Sequence, residues 1–312
     1  MRSLGPILVV LAVLLAVWYV ACIPMNINEV LTSAARDGAA VSPESSPERM
    51  ATSRYVLVAK NLEHIGASWS VDRARLPSPE QVMGELWKGI FDQPITSKRS
   101  LVYHGMVTLQ ATLAGLALGL VVGIGLAMSI VYFRVMDLSV MPWAVISQTI
   151  PIVALAPMIV VLSNSLGLGD RLGIENRLVS KAIIAAYLSF FPVLVGMIKG
   201  LRSPDAMQID LMRTWNATGI QEFLRLRLPA SFPYLFASLK VAVAAALVGA
   251  IVGELPTGAI EGLGARMLVA SQFGQPLLMW ASLFAAAIAA GGLILVVGFL
   301  QRLVDSRLGV RP

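Results

Sequence analysis

Six stretches of the chain are almost continuously apolar, and the polar residues gather between them. The apolar runs reach approximately from Leu4 to Ile23, His104 to Phe133, Leu138 to Ser163, Leu178 to Lys199, Phe232 to Leu255, and Pro276 to Arg302. A helix rises 1.5 Å per residue and the hydrocarbon layer is about 30 Å thick, so about 20 such residues cross it. Barrel strands would need short segments of alternating polarity, which these Leu/Val/Ala/Gly runs are not. The pattern predicts an all-α, polytopic membrane helical bundle with about six transmembrane helices. It divides into an N-terminal transmembrane helix over 1–23, an extracytoplasmic linker with an interfacial helix over 24–103, and a transmembrane core over 104–312 that carries a cytoplasmic loop at 200–231.

Orientation follows from the bias of Lys and Arg toward short cytoplasmic loops. With the N-terminus inside, eleven lie on the cytoplasmic side: Arg2, Arg134, Lys199, Arg202, Arg213, Arg225, Arg227, Lys240, Arg302, Arg307 and Arg311. Four lie outside, namely Arg171, Arg177, Lys181 and Arg266. Both termini are therefore expected in the cytoplasm. Val20-Ala21-Cys22 has the small residues that precede the cysteine of a bacterial lipoprotein signal, but Tyr19 fits that pattern poorly. Cleavage would also leave five spans, so the first helix is read as uncleaved, with Cys22 an apolar filler.

Between the first two spans, Ser42-Pro43-Glu44-Ser45-Ser46-Pro47-Glu48 has linker composition and no apolar period, so little rigid structure is expected. From Ser78, with Pro79 at the first helical position, Val82, Met83, Leu86, Trp87, Ile90 and Phe91 recur at helical spacing. This helix lies either on the outer face of the membrane or against the protein's own flank.

Within the bundle, Gly115, Gly119 and Gly123 share one helix face, and Gly196/Gly200 and Gly249/Gly253 repeat the spacing. Such faces let helices approach closely, within one subunit or between two. Polar groups in lipid are costly, which singles out Gln148, Thr149 and Glu254 as residues that could line a pathway. Glu254 has a second reading, in which it reaches the outer interface and meets Arg266 or lipid head groups.

Composition narrows the class. Charged residues make up 13% of the chain, about half of the roughly 25% usual in soluble domains. The net charge of +6 fits Lys and Arg anchoring helix ends at anionic lipid, and no nucleic-acid partner is expected. A lone Cys22, and His64 and His104 standing 40 residues apart, offer neither a disulfide nor a metal-ligand spacing. No cluster of nucleophile, acid and base marks an enzyme. The chain also has no Gly-Lys dipeptide, hence no phosphate-cradling P-loop, so any ATP would be bound by a partner.

The segment from Gly200 to Ser231 is too long for a turn and too amphipathic for a disordered loop. Ser203 is expected to cap a first helix with Pro204 at its first position, ending near Trp215, where Asn216 tolerates the left-handed conformation. Thr218 to Gln221 forms a capping box that starts a second helix at Gly219, which Pro229 is expected to close. Such a knob suits docking of a cytoplasmic protein, although a helical loop lying on the membrane would carry the same caps.

Asp210 to Pro229, DLMRTWNATGIQEFLRLRLP, resembles the EAA loop of permease subunits of binding-protein-dependent ABC importers. The family pattern is Glu-Ala-Ala, three residues, Gly, nine residues, Ile, one residue, Leu-Pro. Asp210-Leu211-Met212 stand at the Glu-Ala-Ala positions, Asn216 at the Gly position and Leu226 at the Ile position, while Leu228-Pro229 match. Spacing is kept; the acidic residue is shortened and Asn replaces Gly. LPSP at Leu76–Pro79, QTIPIVALAPMIV at Gln148–Val160, FFPVLVGMIKGLRS at Phe190–Ser203 and GELPTGAIEGLG at Gly253–Gly264 look like the nitrate, sulfonate and taurine group of these permeases.

The resemblance implies a type I ABC importer permease fold in the bacterial inner membrane. It implies a non-catalytic subunit that pairs with a second permease, identical or paralogous. It further implies docking on a cytoplasmic ABC ATPase dimer and receipt of solute from an extracytoplasmic binding protein. The solute implied is nitrate, a sulfonate such as taurine, or a pyrimidine-like heterocycle. The rival reading is a secondary transporter driven by an ion gradient, but no clear internal repeat favours it.

Overall fold

The computed structural model describes residues 4–308 and contains no strand among them. Its α-helices are α1 (Leu4–Arg36), α2 (Ser46–Ala51), α3 (Arg54–Lys60), α4 (Pro79–Phe91), α5 (Leu101–Tyr132), α6 (Arg134–Ser147), α7 (Ile152–Ser165), α8 (Leu168–Leu172), α9 (Asn176–Leu201), α10 (Ala206–Thr214), α11 (Gly219–Glu222), α12 (Leu228–Glu254), α13 (Leu263–Gln272) and α14 (Pro276–Leu308). A 3-10 helix covers Leu62–Trp69 and a π-turn covers Phe223–Arg227. Two compact units divide the chain: residues up to Tyr103 with Arg266–Ala285, and His104–Ala265 with the residues from Ala286 onward.

In the first unit, α1 runs 33 residues and does not stop near Ile23 as expected. Pro24 lies inside it, because the turns beyond carry Ile27, Val30 and Leu31 on one buried face. Ile27 and Leu31 pack with Val41 and Leu57, and this cluster overrides the proline. The stretch expected to be loose linker is therefore folded. Ser45 caps α2, and Arg49 is buried with Nη1 donating to the carbonyls of Pro43 and Glu44. Asn26, inside α1 and fully buried, donates to the carbonyls of Ser68 and Leu76 at 2.9 and 2.8 Å and accepts from the Leu76 N–H at 3.1 Å. Polar bonds of this kind carry no apolar period, so hydrophobic patterning misses them.

Helix α4 begins as its sequence predicts, with Ser78 and Gln81 completing a capping box and Pro79 at the first position. Its apolar stripe divides. Val82 and Leu86 are buried, whereas Met83, Trp87 and Phe91 are exposed, so one edge packs on the protein and the other is free for lipid.

In the second unit, α5, α9 and α12 pack through their glycines. A Cβ at Gly200 would lie 2.7 Å from Ser231 Cα, and one at Gly249 would lie 2.7 Å from Ala185 Cα. The pairings Gly200 with Ser231, Gly196 with Ser238 and Gly249 with Ala185 run in opposite senses, so α9 and α12 are antiparallel. Gly115 meets Ala185, Gly119 meets Ser189 and Gly123 meets Val193, so α5 and α9 are parallel. All of these glycine seams lie within the subunit.

The expected third span is broken. Helices α6 and α7 bend by 104° across Gln148–Pro151, because Pro151 supplies no N–H and its ring disfavours a helical residue before it. Parallel α5 and α9 require the chain between them to recross the bilayer, so the bent pair serves as one span. With five unbroken apolar helices it makes six.

Candidate functional site

The segment after α9 folds into the expected two helices, with two changes. Asp205, not Ser203, precedes the first, and its N–H donates to Gln208 Oε1 at 3.1 Å. The Ser203 hydroxyl instead donates to the Gly200 carbonyl at 2.7 Å, closing α9. Asn216 turns the chain with φ of +52°, the single non-glycine positive φ among the described residues. The Thr218–Gln221 box is present on both sides, at 2.9 and 3.3 Å.

Pro229 does not close the second helix. Leu228 N–H reaches back five residues to the Phe223 carbonyl, forming the π-turn Phe223–Arg227. The wider turn makes room for a residue that cannot donate, and the helix continues through Pro229 into α12. Gly219–Glu254 is thus one helical run of 36 residues.

Both ends of this element are tied to the bundle. Phe223 and Leu228 pack into the cluster built around Ile130, Leu194, Met197 and Leu201, and the Phe223 ring meets Tyr132 at 6.0 Å. Arg227 pairs with Glu222 at 2.6 Å and donates to the Leu201 carbonyl at 3.0 Å. Arg202 pairs with Asp137 of α6 at 2.9 Å. Asp210 pairs with Arg213, but both side chains are more than 60% exposed, so that pair contributes little stability. Between these ties, no residue of α10 or α11 is buried, and Met207, Leu211, Trp215, Ile220 and Leu224 all stand exposed. Met212 and Leu226 are half-buried. Of the positions singled out in the sequence, Asp210, Leu211, Asn216 and Gly219 are exposed and Leu228 is one of the ties, whereas Met207, Ile220, Leu224, Phe223 and Arg227 carry no such mark in the sequence. Glu222 and Arg227, five apart, match a π-turn that the sequence alone gave no reason to expect.

Gln148 and Thr149 occupy the break between α6 and α7. The Thr149 hydroxyl donates to the Ile146 carbonyl at 2.8 Å, and Gln148 Nε2 donates to the Ser147 hydroxyl at 3.4 Å. The Tyr187 hydroxyl of α9 donates to the Ser147 carbonyl and pins the break from outside. Non-helical backbone at membrane depth is tolerated where it is buried in protein or lines a wet cavity.

Glu254 is elsewhere in the design. It is 1% exposed, so in this arrangement its carboxyl group meets protein groups on all sides. Oε1 accepts from the Thr108 hydroxyl at 2.8 Å and Oε2 accepts from the Gly264 N–H at 2.7 Å. Thr108 Oγ1 in turn accepts from the Leu263 N–H at 2.9 Å, and His104 Nδ1 accepts from the Gly262 N–H at 3.0 Å. Gly262, at φ +127°, has no room for a Cβ beside Glu254. The chain after α12 is thus latched to α5 through buried polar groups. A signal was available: His104, Thr108 and Thr112 recur every four residues on one face of an otherwise apolar helix, and all three are buried.

No group of three or more His, Cys, Asp and Glu side chains gathers among the described residues. The arrangement comprises an exposed, capped helix pair, a continuous helical run leading from it and a broken span.

Residues 115–310 match the family described as binding-protein-dependent transport system inner membrane component. A probable ABC transporter permease protein of Haemophilus influenzae is 34% identical over 207 residues, covering 66% of this chain and 76% of that protein. The formylaminopyrimidine transport permease protein ThiX of Halalkalibacterium halodurans is 36% identical over 205 residues, covering 64% and 73%. The riboflavin transport system permease protein RibX of Chloroflexus aurantiacus is 30% identical over 229 residues, covering 73% and 79%.

Proposed function

The chain belongs to the family of binding-protein-dependent transport system inner membrane components, and on that footing we propose how its parts divide the work of import. It is a multi-pass membrane permease subunit of an ABC transport system, which operates with an ATPase and a substrate-binding protein. The α10–α11 pair, through Asp210, Leu211, Met212, Asn216 and Gly219, is the ATPase contact. Leu226, Leu228 and Pro229 join it to α12. One observation carries this reading: the exposed row Met207, Leu211, Trp215, Ile220 and Leu224 on a capped, anchored element. Apolar surface of that kind outside lipid marks a protein interface.

Two ATPase subunits bind and hydrolyse ATP, and this chain holds no cofactor and performs no chemical step. Their closure displaces the docking pair and switches the bundle between outward and inward access. A second permease subunit, identical or paralogous, completes the pathway, with Gln148 and Thr149 at the broken span facing it. A discontinuous helix frees backbone groups that can meet a solute, which supports that position. Both termini are cytoplasmic. The solute is a small nitrogen heterocycle of the pyrimidine type, ahead of nitrate or a sulfonate, because the relatives named for formylaminopyrimidine and riboflavin are 36% and 30% identical, against 27% and 23% for those named for aliphatic sulfonates and nitrate.

Proteoliposomes containing the chain, its ATPase and its binding protein should accumulate labelled formylaminopyrimidine only when ATP is supplied. Uptake driven by a proton gradient without ATP would overturn the coupling assignment. ATP-driven uptake of nitrate and not of the pyrimidine would overturn the solute class alone.

A further inference from the structure

Two cavities of the first unit meet at one residue. The first is an apolar groove of about 970 Å³ along α1, walled by Ala16, Val17, Val20 and Ile23 of the helix and by Tyr55 and Val58 of α3. The second, of about 570 Å³, lies further along the same helix, between its Asn28–Arg36 turns and the α2–α3 segment. Arg54 lines both.

Their order along α1 is apolar and then cationic. Ala16 to Met25 makes about 14 Å of apolar wall, in the half of the helix that crosses the hydrocarbon, and Asn28 to Arg36 makes about 12 Å of polar wall beyond it. Arg36, Arg49, Arg54 and Arg75 line the second cavity against a single carboxylate, Glu29. Among the described residues, none of the four guanidinium groups forms an ion pair. Arg49 is 5% exposed and its Nε is buried with no acceptor. A buried charged donor left unmet is costly, and an oxyanion is the group that guanidinium geometry fits best.

We propose that the two cavities form one site for an anionic phospholipid, with its phosphate among the four arginines and one acyl chain in the groove along α1. A free oxyanion would satisfy the arginines and leave Val17 and Val20 facing the groove uncovered. A purely apolar ligand would leave the Arg49 Nε unmet and the other three guanidinium groups without a counter-charge. The phospholipid satisfies both halves, and the bilayer delivers it to a groove cut into a membrane-crossing helix. The site rests on α1 crossing the bilayer and is independent of the solute transported.

The test uses the assembled transporter, stripped of lipid in detergent and titrated separately with dioleoylphosphatidylglycerol, dioleoylphosphatidylcholine and inorganic phosphate. Native mass spectrometry reads the retained lipid. One phosphatidylglycerol per copy of this chain should persist after phosphatidylcholine has washed out. Arg54→Gln combined with Arg75→Gln should weaken its retention by about thirtyfold, on the order of fivefold for each charge removed. Val20→Trp, which fills the groove and leaves the arginines in place, should also release it. Unchanged retention in both variants would overturn the site. Equal retention of the two lipids would overturn the anionic preference, and phosphate displacing the lipid at equal concentration would assign the arginines to a free oxyanion. If the double variant fails to assemble, the comparison of ligands on the unaltered chain still decides between these outcomes.

Discussion

The hydroxyl of Thr108 donates to Glu254 at 2.8 Å while accepting from the Leu263 N–H at 2.9 Å, joining positions 146 and 155 residues away in one buried node. Thr108→Val keeps the shape and removes both bonds. It should destabilise the detergent-solubilised protein by about 2–4 kcal/mol, since two partners become unsatisfied without water. Thr108→Ser retains the hydroxyl and should melt near the parent. Thermal unfolding of the two variants side by side separates the hydroxyl's contribution from packing, and equal melting would remove the node from the account of the fold.

The docking pair gives a second expectation. Trp215→Ala with Ile220→Ala removes exposed apolar surface and touches no buried contact, so expression and insertion should be unchanged. Co-purification of the ATPase should fall by tenfold or more, on the order of 1.5 kcal/mol or more for two interface anchors. Retained ATPase would mean that the contact lies elsewhere.

The turn between α10 and α11 makes a finer distinction. Asn216→Gly should be tolerated or should stabilise, by up to about 1 kcal/mol, because φ of +52° strains any residue with a Cβ. Asn216→Val should disrupt. Gly219→Pro should be accepted: Gly219 is the first residue of α11, where proline fits, and the capping bonds run between Thr218 and Gln221. Loss of ATPase binding in Gly219→Pro would show that this turn rearranges on docking.

At the broken span, Tyr187→Phe deletes the hydroxyl that holds the Ser147 carbonyl. Uptake should fall several-fold while ATPase docking persists, about 1 kcal/mol being the usual worth of such a bond. Parallel measurement of uptake and ATP hydrolysis checks this, and undiminished coupled uptake would detach the break from the pathway.

Orientation is tested with cysteines in a Cys22→Ala background. Met50 and Met207 stand exposed, at 77% and 79%, and Met50→Cys and Met207→Cys place the labels there. An impermeant thiol reagent applied outside should label the first and not the second; the reverse would invert the topology drawn from Arg and Lys.

Legibility in the sequence tracked the kind of force involved. Apolar period located the spans, and capping chemistry located α4 and α11, because a cap is a local arrangement of residues three apart. The sequence places the end of α1 too early because Pro24 is a local signal, whereas Ile27 and Leu31 answer to Val41 and Leu57 across the fold. The same reason hid the folded insert: Asn26 finds its partners 42 to 50 residues away. At Pro229 the local rule failed because the π-turn that absorbs it depends on Phe223 and Arg227 being held by the bundle. Glu254 stands out in the sequence, and the His104/Thr108/Thr112 spacing marks a polar face on α5, but that the two meet depends on packing.

The unbroken run from Gly219 to Glu254 is a lever. Its 36 residues extend about 54 Å. A tilt of about 5° about one end displaces the other by about 5 Å, close to the rise of one helical turn. On the proposed reading, a small rocking at Ile220 would reach the Glu254 end as a shift close to one helical turn only to the extent that the π-turn, Pro233 and the ties at Phe223 and Arg227 let the run move as one body. Because hydrogen bonding continues through the π-turn at Pro229, the cytoplasmic end and the membrane-crossing part belong to one helical run, and a bend at Phe223–Arg227 would set how much of a push from one side is felt on the other.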